Sequence, residues 1–581
     1  MATASCTDLT ELNENPTKSE TIDPNILIPT IQFSHALGYN NVYRYMTYPG
    51  GWCNHWTGAW GMVEYGGKAK KNLGYMERLW VVLYPEAVKN LVSLEELTKS
   101  DPEYVNLNAI AKVLRVETFL KLTDYYGDVP YFEAGQAYFQ NILNPKYDKQ
   151  EDIYKDFFKL LDEAVAQFDA SAPKAKNDLY YDGNVEQWKR FASSLKLRIA
   201  MRLVKVDEAL AKQKAKEAFT AGLMQSNSDI AYVKYSVSRE DIGSGNGYSN
   251  YFVSSTSSTY ATYGPTQNRI TTDFFNALTV RDTDSIVGSI AFRRLKSKDP
   301  RLHLIAKSYH GALYDNAIDI TEICRAWNSK ATNQQGPADL STKVDGYINV
   351  GGYLTVPSQE FNYGGGIQRE NSINLNRSVW ANAITNVQAP TLPSASVTHY
   401  LQRLMPSKWL LASDAPWIHM SYAETQFLLA ETTLRGWNID NESVEDRYKK
   451  GYIAAVKQFS LFGASTPADT EIESYMNTYL LPSLSAGTTQ AMEEIAKQLW
   501  ILFCLDPIEA WSLIRRTNGM PTEYTTFYNR YPNENESNGK MPRRMQYPLE
   551  EQTRNKNSYE EAIARMGGTD DWMTRVWWDK E

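Results

Sequence analysis

Large aromatic side chains alternate with glycine in one short stretch near the amino terminus, residues 48–67. This alternation does not fit a regular amphipathic helix, so the stretch is predicted to form loop and short helix. An exposed ring can pack on apolar C–H groups while a Tyr hydroxyl or a Trp N–H adds a hydrogen bond, and sugars and peptides use both contacts. The stretch therefore supplies the first candidate ligand-binding residues: Trp52, Asn54, His55, Trp56, Trp60 and Tyr65.

A second group of rings lies among Gly, Ser, Asn and Thr in the middle of the chain, where helical periodicity is weak. The glycine run that begins at Gly243 lacks the spacing of a dinucleotide-binding loop and is predicted to be a flexible loop. Burial between helices is the competing interpretation for the rings of both groups. The candidate ligand-binding residues of this second group are Tyr260, Tyr263, Asn268, Trp327, Tyr363 and Trp380.

The sequence lacks the signatures of the common hydrolases and nucleotide-binding enzymes. It contains no His-Glu-x-x-His, no Gly-x-Ser-x-Gly and no Gly-x-x-x-x-Gly-Lys, which are the patterns that place zinc ligands, a nucleophile or a phosphate. The six histidines are scattered, and none has a partner suggested by spacing. The 68 acidic residues always offer pairs of carboxylates, so the residues alone leave a glycoside hydrolase open.

Bulk properties exclude other classes of protein. The net charge of -8 provides no basic field of the kind that binds phosphate backbones, so nucleic acid is not an expected partner. No run of about 18 apolar residues predicts a transmembrane helix. The four cysteines lack the spacing of a zinc or redox motif. No cofactor is therefore predicted, although Asp and Asn side chains in the middle of the chain leave a structural calcium ion open.

Helical periodicity is strong on both sides of the middle region. Short turns such as Ser100–Pro102 join long helices, which predicts helical hairpins stacked like tetratricopeptide repeats. The predicted fold is mainly α, with a scaffold of helical pairs and a large irregular, loop-rich insert. The predicted helices span residues 25–45, 75–97, 106–126, 152–168, 185–206, 208–221, 271–278, 417–434, 444–459, 489–505 and 507–516, and a polar tail follows from residue 517.

These patterns divide one domain into four parts. Residues 25–235 form an amino-terminal helical part, residues 236–412 an irregular ligand-binding part, and residues 413–581 a carboxyl-terminal helical part with its tail. Residues 1–24 are a polar tether. Cys6 follows Ala4 and Ser5, as the acylated cysteine of a bacterial lipoprotein would after signal cleavage, and an incidental cysteine is the alternative.

Five segments spread over nearly the whole chain resemble motifs of the SusD/RagB family, in the order that the family has them. The most specific is a predicted helix that runs into Gly127-Asp-Val-Pro-Tyr131. Leu12-Asn-Glu-Asn-Pro16, shortly after a cysteine, is also similar to the mature amino terminus of these lipoproteins. The five segments are Arg115–Glu133, Trp188–Arg198, Lys298–Leu302, Tyr422–Glu431 and Arg544–Pro548.

The resemblance implies a protein without catalytic activity, anchored by lipid to the outer surface of the outer membrane of Bacteroidetes. Family members lie over a SusC-like, TonB-dependent transporter, and most bind oligosaccharides while some bind peptides. Ligand residues vary within the family, so none can be assigned from it. The predicted function is capture of oligosaccharides for this transporter; the alternatives are an oligopeptide-capturing member, a glycoside hydrolase and a purely structural scaffold.

The motif residues themselves have structural interpretations. Gly127 is predicted to end its helix with a positive φ, and Pro130 prevents the helix from resuming. Arg198, Arg202 and Glu431 are predicted to form structural ion pairs or to be solvated charges, rather than to bind the ligand.

Overall fold

The computed structural model describes residues 22–36, 41–58, 62–235, 268–281, 285–287, 290–292, 295–307, 405–412, 414–525 and 535–581. Helices dominate this part of the chain, and its strands are short, so the prediction of a mainly α fold is confirmed. None of the helices described is long and apolar enough to cross a membrane. The predicted division at residues 24, 235 and 412 stays a prediction, because most of residues 236–412 lie outside these ranges.

The amino-terminal part is built from ten α-helices in the residues described. They are α1 (Leu27–Ala36), α2 (Asn41–Trp52), α3 (Leu73–Met76), α4 (Arg78–Leu83), α5 (Lys89–Thr98), α6 (Val105–Tyr126), α7 (Ala137–Gln140), α8 (Gln150–Gln167), α9 (Val185–Arg202) and α10 (Glu208–Ala221).

Further helices follow in the middle and carboxyl-terminal parts. They are α11 (Thr272–Ala277), α12 (Leu302–Ile305), α13 (Lys408–Leu411), α14 (Tyr422–Leu434), α15 (Val444–Lys457), α16 (Asp469–Tyr475), α17 (Leu481–Ser485), α18 (Thr488–Leu502), α19 (Pro507–Arg516), α20 (Glu551–Arg554) and α21 (Lys556–Arg565).

Most of the long predicted helices are present with bounds close to the prediction. Helices α10 and α19 have the predicted bounds, and the predicted helix 75–97 consists of α3, α4, a π-helical turn at Tyr84–Val88 and α5. Gly127 ends α6 with φ +93°, as predicted. Its backbone N–H donates to the carbonyl of Thr123 at 2.8 Å, which satisfies one of the last carbonyls of the helix.

One prediction about the carboxyl-terminal part is wrong. Trp417–Met420 was predicted to begin a helix but forms a strand, and the helix begins at Tyr422 after Ser421, whose hydroxyl accepts from the backbone N–H of Glu424 at 3.3 Å. The apolar spacing runs through both elements, and only the cap at Ser421 separates them. The polar tail after residue 517 also contains α20 and α21, two helices that the sequence analysis did not single out.

The strands pair two by two, and every pair is antiparallel. The pairs are β1 (Trp56–Gly58) with β5 (Asn268–Ile270), β2 (Val129–Pro130) with β3 (Tyr147–Asp148), β4 (Ala231–Val233) with β12 (Trp417–Met420), β6 (Thr279–Arg281) with β9 (Leu295–Lys298), β7 (Ser285–Val287) with β8 (Ile290–Phe292), and β10 (Ala306–Lys307) with β11 (Met405–Pro406).

Two of these pairs determine where the loop-rich insert leaves the scaffold and where it returns. β10 precedes residues 308–404 and β11 follows them, so their pairing holds both ends of this segment side by side. The backbone N–H of Ser407 adds a hydrogen bond to the carbonyl of Ile305 at 2.8 Å. Similarly, β4 and β12 join the end of the amino-terminal part to the start of the carboxyl-terminal part. The long insert therefore departs from and returns to one place on the helical scaffold.

Helices that follow one another in the chain pack against each other. α5 packs on α6, α8 on α9, α9 on α10, and α14 on α15, and their facing residues form one continuous apolar core. Gly451 on α15 allows α14 to approach closely, because a Cβ there would lie 2.9 Å from Cε1 of Phe427. These contacts are the helical pairs that the sequence predicts.

A buried ion network joins helices that are distant in the sequence. Arg198 of α9 donates to both carboxylate oxygens of Glu424, each at 2.6 Å. One turn later, Arg202 donates to Asp124 at 3.1 Å and to Glu509, which lies 307 residues away. All five side chains are buried. Since a buried charge is stable only with its partners in place, this network requires α6, α9, α14 and α19 to meet in one arrangement.

A second buried group connects α14 to the end of α19. Glu431 accepts from Arg516 through both oxygens, at 2.8 and 2.7 Å, and from Arg435 at 3.0 Å. Burial alone would raise the pKa of Glu431, but the two guanidinium charges outweigh it and lower the pKa to about 2. Arg198, Arg202 and Glu431 thus form the structural ion pairs that the sequence predicts.

We predict that Arg202→Ala lowers the free energy of unfolding by about 3–5 kcal/mol, because Asp124 and Glu509 would stay buried without that partner. Denaturant titration followed by circular dichroism measures the change.

The matched control removes an exposed arginine. Arg554 pairs with Glu550 at 3.0 Å, with 75% and 66% of their side chains exposed, so Arg554→Ala is expected to cost less than about 1 kcal/mol. If Arg202→Ala also costs less than about 1 kcal/mol, the network does not hold the helices together.

Candidate ligand-binding site

The early ring-dense stretch lies mostly inside the protein. Helix α2 continues to Trp52, a turn follows in which Asn54 has φ +65°, and β1 begins at Trp56. Trp52, Asn54, His55 and Trp56 are all buried. The expectation of exposed rings is therefore wrong at Trp52, His55 and Trp56, whose side chains pack in the protein interior instead.

Backbone carbonyls in and just after the last turn of α18 accept hydrogen bonds from the rings of His55 and Trp56. His55 stacks on Trp500 with ring centres 4.6 Å apart, and its Nε2–H donates to the carbonyl of Trp500 at 2.8 Å. Trp56 donates its indole N–H to the carbonyl of Cys504 at 2.8 Å, and Trp500 donates its own to Cys53 at 2.7 Å. These reciprocal bonds leave the ring donors of His55 and Trp56 engaged within the protein.

Asn54 is also a structural residue in this arrangement. Its side-chain amide donates to the carbonyl of Tyr524 at 2.7 Å and to the carboxylate of Asp273. The backbone N–H of Thr271 donates to the carbonyl of His55 at 3.0 Å, and the Thr271 hydroxyl donates to the carbonyl of Asn54. The early stretch is thereby hydrogen-bonded to the start of α11. The sequence analysis predicted that the Asn54 side chain donates to a ligand, but its amide N–H groups already donate to Asp273 and Tyr524.

The strand pair β1–β5 brings together parts of the two predicted ring groups. Gly58 lies opposite Asn268, and Trp56 opposite Ile270. The early stretch and residues 268–270 of the loop-rich insert are therefore neighbours, although about 210 residues separate them in the sequence. Trp60 lies two residues beyond β1, outside the described residues.

Close backbone packing explains why glycine alternates with the rings. A Cβ on Gly51 would lie 2.5 Å from Cα of Gly66, and one on Gly66 would lie 2.7 Å from the carbonyl oxygen of Thr47. Only glycine allows α2 to touch the π-helical turn Met62–Gly67. Tyr65 on this turn is half-buried; its ring packs on Tyr75, and its hydroxyl accepts from the Asn72 amide at 2.9 Å.

The other predicted site residues stay predictions. Asn268 has a described backbone in β5, and nothing is assigned to its side chain. The remaining residues lie outside the described ranges: Cys6, Trp60, Tyr260, Tyr263, Trp327, Tyr363 and Trp380.

Exposed rings occur at a place that the sequence analysis did not single out. Phe132, Tyr138 and Phe139 are exposed on the loop of residues 131–146, which connects β2 to β3 and contains α7. Tyr138 and Phe139 stand between Gln136 and Gln140 and close to Gly135. Rings beside glycine and amide side chains were the signal used for the early stretch, and the same signal would have found this loop.

A cleft of about 610 Å³ opens between the start of α8, the end of α21 and the chain end. Its charged walls are largely paired: Arg565 donates to Asp128 at 2.8 Å, and Arg575 to Asp579 at 3.0 Å. The half-buried ring of Trp577 packs against Tyr154. The volume suits a small ligand, although these charges are already satisfied by one another.

Titratable groups inside the described part have structural partners. Glu117 lies between Nδ1 of His35 at 3.3 Å and Nδ1 of His419 at 2.7 Å. Burial raises the pKa of the thiols of Cys53 and Cys504, so neither is an activated nucleophile. Within the residues described, no group of three or more His, Cys, Asp or Glu side chains is arranged to hold a metal ion.

Comparisons with known proteins agree over nearly the whole chain. Residues 17–316 match the family model described as starch-binding and associating with the outer membrane, and residues 393–579 match the model of SusD and RagB outer-membrane lipoproteins. No curated protein matches the chain.

Solved structures show the same similarity. A chitin-binding protein is 30% identical, with a TM-score of 0.70, over 96% of this chain and 100% of its own. A SusD-like protein, AC2a, of Bacteroidetes is 28% identical, with a TM-score of 0.74, over the same shares of the two chains. A SusD homologue from Bacteroides uniformis, 20% identical with a TM-score of 0.65, covers 96% of this chain and 99% of its own and shares the fold.

The pH dependence of stability tests whether the His55 ring is buried. Burial lowers the pKa of His55 from 6.5 to about 3, and the hydrogen bond to Trp500 offsets this only in part. Between pH 6.5 and 3 the unfolded chain binds a proton that the folded protein does not. The contribution of His55 to the free energy of unfolding is therefore largest above pH 6.5. It decreases as the pH falls, by about 2 kcal/mol at pH 5.

We predict that His55→Gln reduces by about 2 kcal/mol the loss of unfolding free energy between pH 7 and pH 5, measured by denaturant titration at both pH values. Phe427→Leu is the control, since it disturbs the core without removing a titratable group. An unchanged pH dependence in His55→Gln would contradict the burial of this ring.

Proposed function

The chain belongs to the SusD/RagB family, and on that premise we propose that it captures oligosaccharides at the bacterial cell surface and delivers them to a SusC-like, TonB-dependent transporter. Members of this family are outer-membrane lipoproteins that bind nutrients. The likeness to a chitin-binding protein along 96% of the chain is the observation on which the choice of ligand rests.

Oligomers of N-acetylglucosamine are therefore the first ligand class to test. Such a sugar presents C–H faces that pack on Tyr and Trp rings, and its acetamido group exchanges hydrogen bonds with amide side chains. The predicted rings of the loop-rich insert supply the first kind of contact. The pairing of β10 with β11 supports this placement, because it holds the two ends of residues 308–404 at one place on the helical scaffold.

The proposed role needs no covalent chemistry, no cofactor and no metal ion. In the described residues, the carboxyl with the most evident acid–base potential is Asp506, because burial and the nearby charge of Glu509 raise its pKa to about 6. Asp506 lines a cavity of about 30 Å³, which is the size of a water molecule rather than of a sugar ring. This geometry favours binding over hydrolysis.

The proposed location follows from the lipoprotein family and from Cys6. A lipid on Cys6 and the polar segment after it would hold the helical scaffold at the outer face of the outer membrane.

We predict that the purified protein binds chitin oligosaccharides in calorimetric titration and releases no shorter products by mass spectrometry. Tyr263→Ala is expected to weaken binding by more than about 1 kcal/mol, or about fivefold, by removing a ring from the site. Tyr232→Ala, on β4 of the scaffold, is the matched control and should leave the affinity unchanged. Binding of peptide pools instead would make this an oligopeptide-capturing member, and cleavage products would make it an enzyme.

Labelled fatty acid is expected to be incorporated into a precursor that carries a signal peptide before Cys6. Cys6→Ala should abolish the label, since the thioether forms on that sulfur. Cys53→Ala is the control, because Cys53 is buried and its loss should leave the labelling intact. Equal labelling of the Cys6→Ala variant would show that the lipid is not attached there.

A further inference from the structure

The loop of residues 131–146 concentrates exposed apolar surface. Of the twelve large apolar side chains that are exposed in the described part of the chain, four lie on it. Phe132 is 49% exposed, Tyr138 90%, Phe139 39% and Leu143 73%. Exposed apolar side chains concentrated on one loop make it a candidate site of contact with a ligand or a partner.

Interactions at its base and along its length hold the loop in place. The carboxylate of Asp148 accepts from the backbone N–H groups of Tyr131 at 3.0 Å and Phe132 at 2.9 Å. Glu133 accepts from the backbone N–H of Lys146 at 2.9 Å, which closes the loop across its two ends. Since so many bonds order the backbone before any ligand arrives, binding to these rings would cost little conformational entropy.

A close contact with α5 adds to this rigidity. Gly135 has φ +73°, and a Cβ at this position would lie 2.9 Å from Cγ2 of Val92. Residue 135 must therefore be glycine for the loop to pack on α5. The two exposed rings follow directly, and their centres are 5.1 Å apart with planes at 89°. The loop thus carries two exposed rings that meet edge to face in a nearly perpendicular arrangement.

The side chains around the rings indicate the chemistry of the ligand. Gln140, Asn141 and Asn144 are exposed amides that can both donate and accept hydrogen bonds. The only charged residues in the loop are Glu133 and Lys146, one of each sign. A surface of ring faces and amides without net charge is suited to a neutral polyhydroxylated ligand, and gives no attraction to an anionic polymer.

We propose that residues 131–146 form an accessory oligosaccharide-binding platform, separate from the site in the loop-rich insert. This inference rests on the proposed function, because it assumes that the protein binds a neutral glycan. Tyr138 and Phe139 pack on the C–H faces of successive sugar units, and the amides bind their hydroxyl groups. A long chain that touches both sites is held more tightly than a short one that reaches only one.

The test compares a long ligand with a short one. In Tyr138→Ala combined with Phe139→Ala, the affinity for insoluble chitin in a depletion assay should fall about fivefold or more. The Kd for diacetylchitobiose at the site in the insert should stay unchanged in calorimetric titration. Tyr138→Trp should retain the affinity for chitin, because a larger ring preserves the stacking contact.

Phe33→Ala is the matched control. Phe33 on α1 is 40% exposed, close to the exposure of Phe139, and lies on another part of the scaffold, so its removal should not change chitin binding. Wild-type affinity for chitin in the double variant would overturn the platform while leaving the proposed function intact. The same result together with lost binding to the transporter would make the loop a protein contact. Wild-type protein that does not bind chitin would overturn the choice of ligand in both proposals, and wild-type protein that binds no oligosaccharide at all would overturn both proposals.

Discussion

The buried charges of α9 impose the constraint on which the rest of the structure depends. Arg198 and Arg202 are removed from water, and their positive charges are stabilised only when Glu424, Glu509 and Asp124 are all within hydrogen-bond distance. Asp124 belongs to the amino-terminal helical part, and the two glutamates belong to the carboxyl-terminal helical part. An arrangement that lacks one of the helices leaves an unpaired charge in the core, so the network selects one packing among those that would bury similar apolar area.

The second constraint is the packing of rings and glycines around the early stretch. Backbone carbonyls accept hydrogen bonds from the rings of His55, Trp56 and Trp500. The close contact of Gly51 with Gly66 lets α2 pack directly on the following π-helical turn. β1 follows this cluster and pairs with β5, so residues 268–270 of the insert are hydrogen-bonded to the scaffold next to the cluster.

Sequence patterns were sufficient for the scaffold and insufficient for the site. Helices such as α10 and α19 repeat an apolar stripe over several turns and begin at clear caps, so local information determines them. The helical extension into Trp417–Met420 was wrong because that segment pairs with β4, which lies far away in the sequence. The glycine-embedded rings were the harder case, since an exposed platform and a tight backbone contact require the same residues.

The sequence by itself determined the family, the mainly helical fold and the helix end at Gly127. Each of these follows from periodicity, from a local backbone requirement or from a motif that is contiguous in the chain. Only the tertiary structure decided that Trp52, His55 and Trp56 are buried while Tyr138 is exposed. The physical reason is that burial depends on which distant segment covers a side chain: Trp500 and Cys504 cover the early stretch from about 450 residues away, and no short-range pattern records that contact.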